Sequence, residues 1–317
     1  MEFKPLRILA TGGCGFIGSN FVNMFGDTHK IHVLDAMTYA GKIENLDPKY
    51  RNRINFTKGN ICDHTCVSRL ITDFSPDWIV NFAAETHVDN SIKSSEEFVR
   101  TNMDGVRNIL DCIRGKDVKL LQFSTDEVYG SIDVGSHVEG DILDPRNPYS
   151  ACKAGADMLI KAYTNTYGVQ AVTVRPTNNF GPRQFPEKLI PLFIKKIMKN
   201  QKVPVYGDGM QVRDWLYVDD TCRAVALLLR LGHIGEVYHL AGRNEVPNIV
   251  IIKQILEILG KDESLIEYVK DRPGHDRRYS LDDTKMRMST TWEPAGPFEF
   301  NLKKTVDWYK EEFKCMA

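Results

Sequence analysis

The sequence has no long apolar run, no excess of one charge sign and no CxxC cysteine pair. No run approaches the roughly 20 residues that a membrane helix needs. The formal net charge of −1 argues against nucleic acid or an anionic membrane as a partner. No signal-peptide pattern precedes the first strand-like run, so we expect a cytoplasmic protein. With 42% hydrophobic and 26% charged residues, the composition is typical of a globular domain.

The number and spacing of the cysteines argue against a fold stabilised by disulfides. There are seven, an odd number, and they are scattered along the chain, so we do not expect a disulfide framework. The run CDHTC at 62–66 places two thiols and an imidazole together but lacks a second pair of ligands. We therefore interpret it as the end of a strand followed by the start of a helix, and we predict no metal site.

Short apolar runs alternate with helix-like stretches over the first 176 residues. The helix-like stretches include Phe16–Phe25, Glu96–Arg114 and Tyr149–Tyr167. The runs predict six strands, at Leu6–Thr11, Ile31–Asp35, Ile54–Phe56, Trp78–Ala84, Lys119–Ser124 and Ala171–Arg175. This alternation predicts an α/β fold with a doubly wound parallel sheet.

The pattern changes after Pro176, where loops lengthen and prolines recur. We predict that residues 1–176 form a dinucleotide-binding domain and that 207–240 return to it. A smaller C-terminal substrate-binding domain would then consist of residues 177–206 and 241–317.

A glycine-rich run, Thr11–Gly18, lies between the first predicted strand and the first predicted helix. Gly12, Gly15 and Gly18 would let the backbone approach a pyrophosphate, which the helix N-terminus attracts. A glycine pattern alone is a weak indication, and its position after a strand strengthens it.

Asp35 ends the second predicted strand, where a carboxylate would bind the ribose hydroxyls of a dinucleotide. No arginine follows in residues 36–39, which favours NAD over NADP. Asn60 and Ile61, after the third strand, are expected near the adenine. Without the glycines, Asp35 would be interpreted as a turn residue.

Tyr149 and Lys153 have the YxxxK spacing, which places both side chains on one face of a helix. A nearby ammonium would lower the phenol pKa from its usual value of about 10, so that Tyr149 can accept a proton from a sugar hydroxyl. The spacing is common on exposed helices. Its position after a proline and after the fifth strand favours the catalytic interpretation.

Thr125, Asp126 and Glu127 follow the fifth strand, at the sheet edge where doubly wound folds place their chemistry. Two adjacent acids with separated pKa values can supply one acid and one base. Without Tyr149 and Lys153, a solvated loop or a helix cap would be the better interpretation.

At this point the sequence resembles the nucleoside-diphosphate-glucose 4,6-dehydratases of the extended short-chain dehydrogenase/reductase superfamily, nearly end to end. The matching blocks are TGGCGFIG, AAETHVDNSI, STDEVYG, PYSACK, NNFGPRQFPEKLIPL, YGDGMQVRDWLYVDD and RPGHDRRY. The Thr-Asp-Glu triplet is the most diagnostic block. The resemblance implies a Rossmann domain with tightly bound NAD, a nucleotide-sugar substrate and a homodimer formed by the helices Glu96–Arg114 and Tyr149–Tyr167.

The resemblance also implies roles for five residues. Tyr149 would remove the C4 hydroxyl proton, and Lys153 would tune it and hold the nicotinamide ribose. Thr125 would bond the C4 oxygen. Glu127 would remove the C5 proton, and Asp126 would protonate the departing C6 hydroxyl.

Further matching positions are implied as ligand contacts. Those expected to line NAD, besides Tyr149 and Lys153, are Gly12, Gly15, Phe16, Ile17, Gly18, Asp35, Thr38, Asn60, Ile61, Phe82, Ala83, Ala84, Thr101 and Asn179. Those expected to contact the substrate, besides Thr125, are Thr86, His87, Asn178, Lys188, Leu189, Pro204, Arg213, Asn248, Arg272 and His275. Two phosphates require cations, and Arg213 is the best placed candidate.

Several alternatives stay open. The segment 130–148 is shorter than in many bacterial relatives, and THVDNS and PYSACKAGA also resemble UDP-glucose dehydratases, so dTDP-glucose is favoured but UDP-glucose remains. Asn60 and Thr86 replace the family's usual Asp and Ser. A 4-epimerase or a UDP-glucuronate decarboxylase would share Tyr149 and Lys153 but would not need the Asp126–Glu127 pair. The remaining alternative is a non-catalytic NAD-binding protein.

Overall fold

The computed structural model describes residues 4–271 and 275–315. Within them the strands are β1 Arg7–Thr11, β2 Lys30–Asp35, β3 Asn55–Lys58, β4 Trp78–Asn81, β5 Lys119–Phe123, β6 Ala171–Pro176, β7 Asn178–Phe180, β8 Val203–Tyr206, β9 Val212–Tyr217, β10 Val237–Leu240, β11 Glu245–Pro247 and β12 Ile266–Val269. The α-helices are α1 Phe16–Phe25, α2 Pro48–Arg51, α3 His64–Phe74, α4 Val88–Lys93, α5 Glu96–Val99, α6 Gly105–Ile113, α7 Pro148–Tyr167, α8 Leu189–Met198, α9 Val218–Leu231, α10 Asn248–Leu259, α11 Thr284–Thr290 and α12 Phe298–Cys315.

The main sheet has seven strands in the order β10-β6-β5-β4-β1-β2-β3, and every neighbouring pair is parallel. From β1 the chain first adds β2 and β3 on one side and then adds β4, β5, β6 and β10 on the other. Because the direction of strand addition reverses at β1, a crevice forms there at the carboxyl ends of the strands. The predicted doubly wound α/β fold is therefore confirmed. All six predicted strands are present with small shifts of their ends, and β10 is an additional strand of this sheet.

Helices cover both faces of the main sheet because successive strand residues point to opposite sides. On one face, Ile8 and Leu121 are buried against α1 and α9. On the other face, Leu9 and Leu120 are buried against α3, α6 and α7. Apolar residues on both sides of each strand explain the continuous apolar runs in the sequence.

A second, smaller core begins where β6 ends. β7, β9 and β11 form a three-stranded sheet, and β8 pairs with β12. The helices α8, α10 and α12 pack around these strands in a separate apolar cluster. Within 207–240, β9 belongs to the small sheet and β10 to the main sheet. The division of the chain into two domains stays a prediction.

The helix expected over Glu96–Arg114 is interrupted. A π-helical segment, Arg100–Asp104, joins α5 to α6. Asn102 in this segment is buried, and its side chain bonds both the backbone N–H and the carbonyl of Glu85, at 2.9 Å each. Such π-segments occur often at functional sites. This one lies beside the chain that follows β4.

The start of α7 is specified by its sequence. Asn147 caps the helix in a capping box with Ser150, and Pro148 occupies the first helical turn. Gly168 ends the helix with a φ of 68°, a conformation that suits glycine. The cap places Tyr149 in the first turn of the helix, at the edge of the crevice.

The CDHTC run begins a helix, as predicted. Asp63 caps α3 by accepting a hydrogen bond from the Cys66 N–H at 3.0 Å. In the described residues, no group of three or more His, Cys, Asp or Glu side chains is arranged to hold a metal ion. Nor does any helix in this part of the chain have the length and apolar character to span a membrane.

Candidate active site

Two connected cavities open at the carboxyl ends of the main strands. The first cavity, about 260 Å³, lies over the glycine run and the ends of β5 and β6. The second cavity, about 570 Å³, lies between that edge and the smaller core. Both are lined by Glu127, Asn178, Asn179, Gln184, Glu187 and Lys188. A ligand in one cavity would therefore touch a ligand in the other.

The glycine run is shaped for close approach of a ligand to the backbone. Gly12 has a φ of 66°, and a Cβ there would lie 2.6 Å from the Ala83 backbone nitrogen. A Cβ on Gly18 would clash with the Gly12 carbonyl. Gly15 caps α1 without a side-chain bond, and Phe16 and Ile17 line the first cavity. The first-turn amides of α1 are thus available to an anion such as a pyrophosphate.

Asp35 connects the glycine run to the turn after β2. One carboxylate oxygen accepts from the Cys14 N–H at 2.9 Å, and the other accepts from the Met37 N–H at 2.8 Å. Burial raises the pKa of Asp35, and these two backbone bonds oppose the rise. The carboxylate therefore sits at the end of β2 where a ribose would bind, in a cradle built by two backbone amides.

The other predicted NAD contacts divide into two groups. Phe82, Ala84 and Asn179 line the first cavity, whereas the Ala83 backbone packs against Gly12. Beyond the cavity wall are the positions expected near adenine and the adenosine ribose. Thr38 is exposed, Asn60 accepts from the Cys62 N–H at 2.9 Å, Ile61 is buried and Thr101 lies in the π-segment. The glycine cradle and the buried Asp35 fit a dinucleotide.

The Thr-Asp-Glu triplet forms a 3₁₀ turn directly after β5. Thr125 donates to Asp126 Oδ1 at 3.0 Å and accepts from the Glu127 N–H at 3.3 Å. Asp126 is buried, and its Oδ2 has no hydrogen-bond partner among the described residues. Burial, followed by the charge of Glu127, raises the pKa of Asp126 to about 8. Asp126 therefore carries a proton at neutral pH.

Glu127 occupies a different environment from its neighbour. It lines both cavities, and Asn147 donates to its Oε2 at 3.3 Å. The two adjacent carboxyl groups thus differ in what surrounds them, since Asp126 is buried and reaches only the first cavity, whereas Glu127 is half-buried and lines both. Such a difference lets one act as an acid and the other as a base.

Tyr149 and Lys153 both line the first cavity and are buried. The expectation that Lys153 lowers the pKa of Tyr149 is wrong for this structure. Burial raises the pKa of Tyr149 most, and the charge of Glu127 raises it further. Of the main influences on this pKa, only a hydrogen bond with Thr125 lowers it. Lys153 instead donates to the Phe123 carbonyl at 2.5 Å, and burial lowers its own pKa to about 8.

The second cavity collects most of the predicted substrate contacts. His87, Lys188, Leu189, Pro204, Arg213, Asn248 and His275 line it, Asn178 lines both cavities, and Thr86 lines the first. Lys188 donates to the Thr86 carbonyl at 2.6 Å. The side-chain oxygens of Asn178 and Asn248 are buried and have no partner within 4–271 and 275–315. The predicted contact Arg272 lies outside the described residues.

Arg213 is the buried cation of the second cavity. Its guanidinium donates to the backbone carbonyls of Val212 at 2.8 Å and Asp276 at 2.9 Å. It also lies 4.3 Å from the ring centroid of Tyr279. These contacts fix a planar cation that suits phosphate oxygens.

Several lining residues were missed by sequence reasoning. Thr177, Gln184, Phe185 and Glu187 line the first cavity, and Tyr206, Trp215 and Tyr279 line the second. Glu187 stands beside the predicted Lys188, and Tyr279 ends the block RPGHDRRY. Asn147 was also missed. Its position before Pro148 signals a helix cap, but nothing in the sequence shows that the cap also reaches Glu127.

Comparisons with known proteins agree with one another. Residues 9–305 match the family model described as GDP-mannose 4,6 dehydratase. The chain is 48% identical to the low-salt glycan biosynthesis protein Agl12 of Haloferax volcanii, over 96% of this chain and 98% of that protein. It is 45% identical to a dTDP-glucose 4,6-dehydratase of an Actinoplanes species, with the same coverage. The solved structure of DesIV, a dTDP-glucose 4,6-dehydratase from Streptomyces venezuelae with NAD bound, is 42% identical and covers 98% of each chain with a TM-score of 0.92.

Proposed function

Because this chain belongs to the GDP-mannose 4,6 dehydratase family, we propose that it is an NAD-dependent hydro-lyase that removes water across C5 and C6 of a nucleoside-diphosphate glucose. The product is the 4-keto-6-deoxy sugar nucleotide. The observation that supports this proposal is the Asp126–Glu127 pair, in which the buried Asp126 reaches the first cavity with a raised pKa while its neighbour Glu127 lines both cavities. An epimerase or a decarboxylase expels no C6 hydroxyl, so neither needs an acid to protonate one.

NAD supplies a hydride acceptor at C4 of the sugar and a hydride donor at C6, so no net oxidation occurs. The glycine cradle would hold its pyrophosphate, and Asp35 its adenosine ribose. Tyr149 and Lys153, which line the same cavity, would hold the nicotinamide side.

Proton movements are assigned to the chain's own residues. Tyr149 takes the C4 hydroxyl proton, with Thr125 as a hydrogen-bond partner of the same oxygen. The 4-keto group then acidifies C5, and Glu127 removes the C5 proton from the cavity side. Asp126 gives its proton to the departing C6 hydroxyl, which leaves as water. Asp126 thus acts in the protonation state that its burial favours, whereas Tyr149, whose pKa is raised, must lose its own proton before it can act as the base.

A pH profile tests the role of Asp126. Its pKa is raised to about 8, so the proton that it must donate is present below this pH and is lost as pH rises through it. We expect kcat/KM, which reports the free enzyme, to fall on the alkaline side with a midpoint near 8, and we expect Asp126→Asn to be poorly active at every pH. A kcat/KM that stays level to pH 10 in the natural protein would exclude Asp126 as the acid.

Arg213 is assigned to the diphosphate. Arg213→Gln should raise KM about 10- to 100-fold, because a hydrogen bond to a charged group contributes about 1.5–3 kcal/mol. Arg213 also lowers the pKa of Asp126, so kcat should change as well, and KM is the readout that decides the assignment. Arg277→Gln serves as the control, because Arg277 is an exposed arginine paired with Asp208. An unchanged KM in Arg213→Gln would remove this residue from substrate binding.

The nucleotide is assigned as dTDP, with UDP as the alternative. The pyrimidines differ by one methyl group, which contributes only about 1–3 kcal/mol of discrimination. Purified protein should be given dTDP-glucose and UDP-glucose separately, and the alkali-induced absorbance of a 4-keto-6-deoxy sugar followed. We expect kcat/KM to be higher for dTDP-glucose. The opposite ratio would reassign the nucleotide and keep the reaction.

We also propose a cytoplasmic homodimer. Met158 on α7 is 49% exposed, and Val99 on α5 is 42% exposed, so these helices carry apolar surface that a second copy can cover. Ile109 and Leu110 on α6 are fully buried in the protomer and belong to its core. The thiols at 14, 62, 66, 112, 152 and 222 are free, as is typical of a reducing compartment. Light scattering at micromolar protein should give a dimer mass, and a monomer mass would refute the assembly.

A further inference from the structure

We propose that Arg175 and Asp157 are positioning residues that hold the catalytic segment Ser124–Tyr129 at both of its ends. This inference rests on the proposed function, because it assigns a purpose to the segment that carries Thr125, Asp126 and Glu127. Neither residue is among those that line the first or second cavity. They would therefore act through the segment and not on the substrate.

The amino-terminal end of the segment is held by Asp157 on α7. Its Oδ2 accepts a hydrogen bond from the Ser124 hydroxyl at 2.9 Å. The same oxygen accepts from Arg175 Nε at 2.9 Å and forms an ion pair with Nη2, also at 2.9 Å. All three residues are at most 6% exposed. Ser124 is therefore tied through a buried ion pair to β6.

The carboxyl-terminal end is held by Arg175 itself. Arg175 Nη1 donates to the Tyr129 hydroxyl, and its guanidinium carbon lies 4.9 Å from the Tyr129 ring centroid. The Tyr129 hydroxyl donates in turn to His239 Nε2 at 2.7 Å, and His239 Nδ1 donates to the Asp282 carbonyl at 3.0 Å. Burial lowers the pKa of His239 to about 3, which keeps its ring neutral and Nε2 able to accept. One guanidinium thus spans both ends of the segment.

The energetic cost of this arrangement indicates a purpose beyond packing. A buried ion pair is often no more stabilising than apolar residues of similar volume, because both charges lose their hydration. Here the pair instead fixes geometry. Its partners are the residue before Thr125 and the last residue of the 3₁₀ turn that carries Asp126 and Glu127. Catalytic side chains need such support, since small displacements of a reacting group cost large factors in rate.

The position of the segment also controls the enclosure of Asp126. Among the titratable groups near Asp126, Glu127 and Asp214 raise its pKa and Arg213 lowers it. Tyr149 on α7 also interacts electrostatically with Asp126. Burial makes the largest contribution to its raised pKa. If the segment loosens and water enters, the Asp126 pKa moves back towards that of an ordinary carboxyl group. A break in the clamp should therefore move the alkaline limb of the kcat/KM profile to lower pH.

The test uses two conservative variants that leave the buried ion pair intact. Ser124→Ala removes the bond to Asp157, and Tyr129→Phe removes the hydroxyl that Arg175 holds. Each should lower kcat about 10-fold, with KM within about twofold of the natural protein. Arg175→Lys keeps the charge but cannot span both ends, so it should show the same pattern. The matched controls are Ser136→Ala, which removes a 2.7 Å bond to Ser280, and Tyr163→Phe, which removes a 2.7 Å bond to Asp111.

Two readouts separate positioning from general stability. The alkaline limb should shift to lower pH in Ser124→Ala and Tyr129→Phe but not in the controls. Backbone amide exchange over 124–130 should be faster in the same two variants, whether or not a nucleotide sugar is turned over. If both readouts match the controls, the clamp is refuted and the dehydratase stands. If the natural protein forms no 4-keto-6-deoxy product, the proposed function fails, and amide exchange alone decides whether the clamp holds the segment.

Discussion

Glu127→Gln is expected to lower kcat for dehydration by about 10²- to 10⁴-fold, the usual contribution of a general base. The amide has nearly the shape of the carboxylate but cannot accept the C5 proton. Glu127 faces the cavities and receives a hydrogen bond from Asn147, which the amide oxygen can still accept. Structure and nucleotide binding should therefore be preserved while proton removal at C5 fails.

The reaction in heavy water measures this step directly. When the natural protein acts, C5 is deprotonated and later reprotonated, so the product should gain one solvent deuterium at C5. In Glu127→Gln the rate of deuterium incorporation should fall together with kcat. Glu257→Gln is the control, because Glu257 is exposed on α10. Deuterium incorporation at the natural rate in Glu127→Gln would remove Glu127 from the mechanism.

Tyr149→Phe should produce a loss of similar size, about 10²- to 10⁴-fold in kcat, through an earlier step. Without the phenol oxygen, the C4 hydroxyl has no base, so the 4-keto group that acidifies C5 does not form. Tyr163→Phe is the matched control, since it lies on the same helix and its hydroxyl contacts Asp111 instead of the site.

A second comparison distinguishes the two variants. Both should lose deuterium incorporation at C5, but only in Tyr149→Phe does C4 oxidation become rate-limiting, so a substrate deuterated at C4 should show the larger kinetic isotope effect in that variant. Calorimetry with the nucleoside diphosphate should give similar affinity for both variants, because both retain Arg213 in the second cavity. A Tyr149→Phe enzyme with more than a tenth of the natural kcat would refute the assignment of the C4 base.

The local sequence predicts much of the fold and the position of the site. The apolar runs of β1, β4 and β5 are buried on both faces, and they could be recognised without any partner strand. Asp35 at the end of β2 accepts from the Cys14 N–H in the glycine run after the neighbouring β1, which agrees with the order strand, glycines, helix, strand and acid. Asn147 and Pro148 specify the start of α7, and with it the place of Tyr149.

Long-range contacts explain what could not be predicted. The expected return of 207–240 is made by β10, which pairs with β6 across more than 60 residues, whereas β9 joins the small sheet, and the short runs show no sign of which sheet each joins. The expected effect of Lys153 on Tyr149 followed from helix spacing alone, whereas the fold buries both groups and directs the lysine to the Phe123 carbonyl. Arg175 looks like an ordinary residue at the end of a strand. Its contacts with Asp157 and Tyr129 arise only when β6, α7 and the turn after β5 come together.

A single labelled substrate tests the central claim most directly. dTDP-glucose carrying deuterium at C4 should be incubated with the purified protein and the product analysed by mass spectrometry and NMR. The account predicts a product that has lost one water and carries the deuterium at C6, because hydrogen removed from C4 is returned to C6 within one active site. A product of unchanged mass with an inverted C4 hydroxyl, or a dehydrated product without the label, would contradict it.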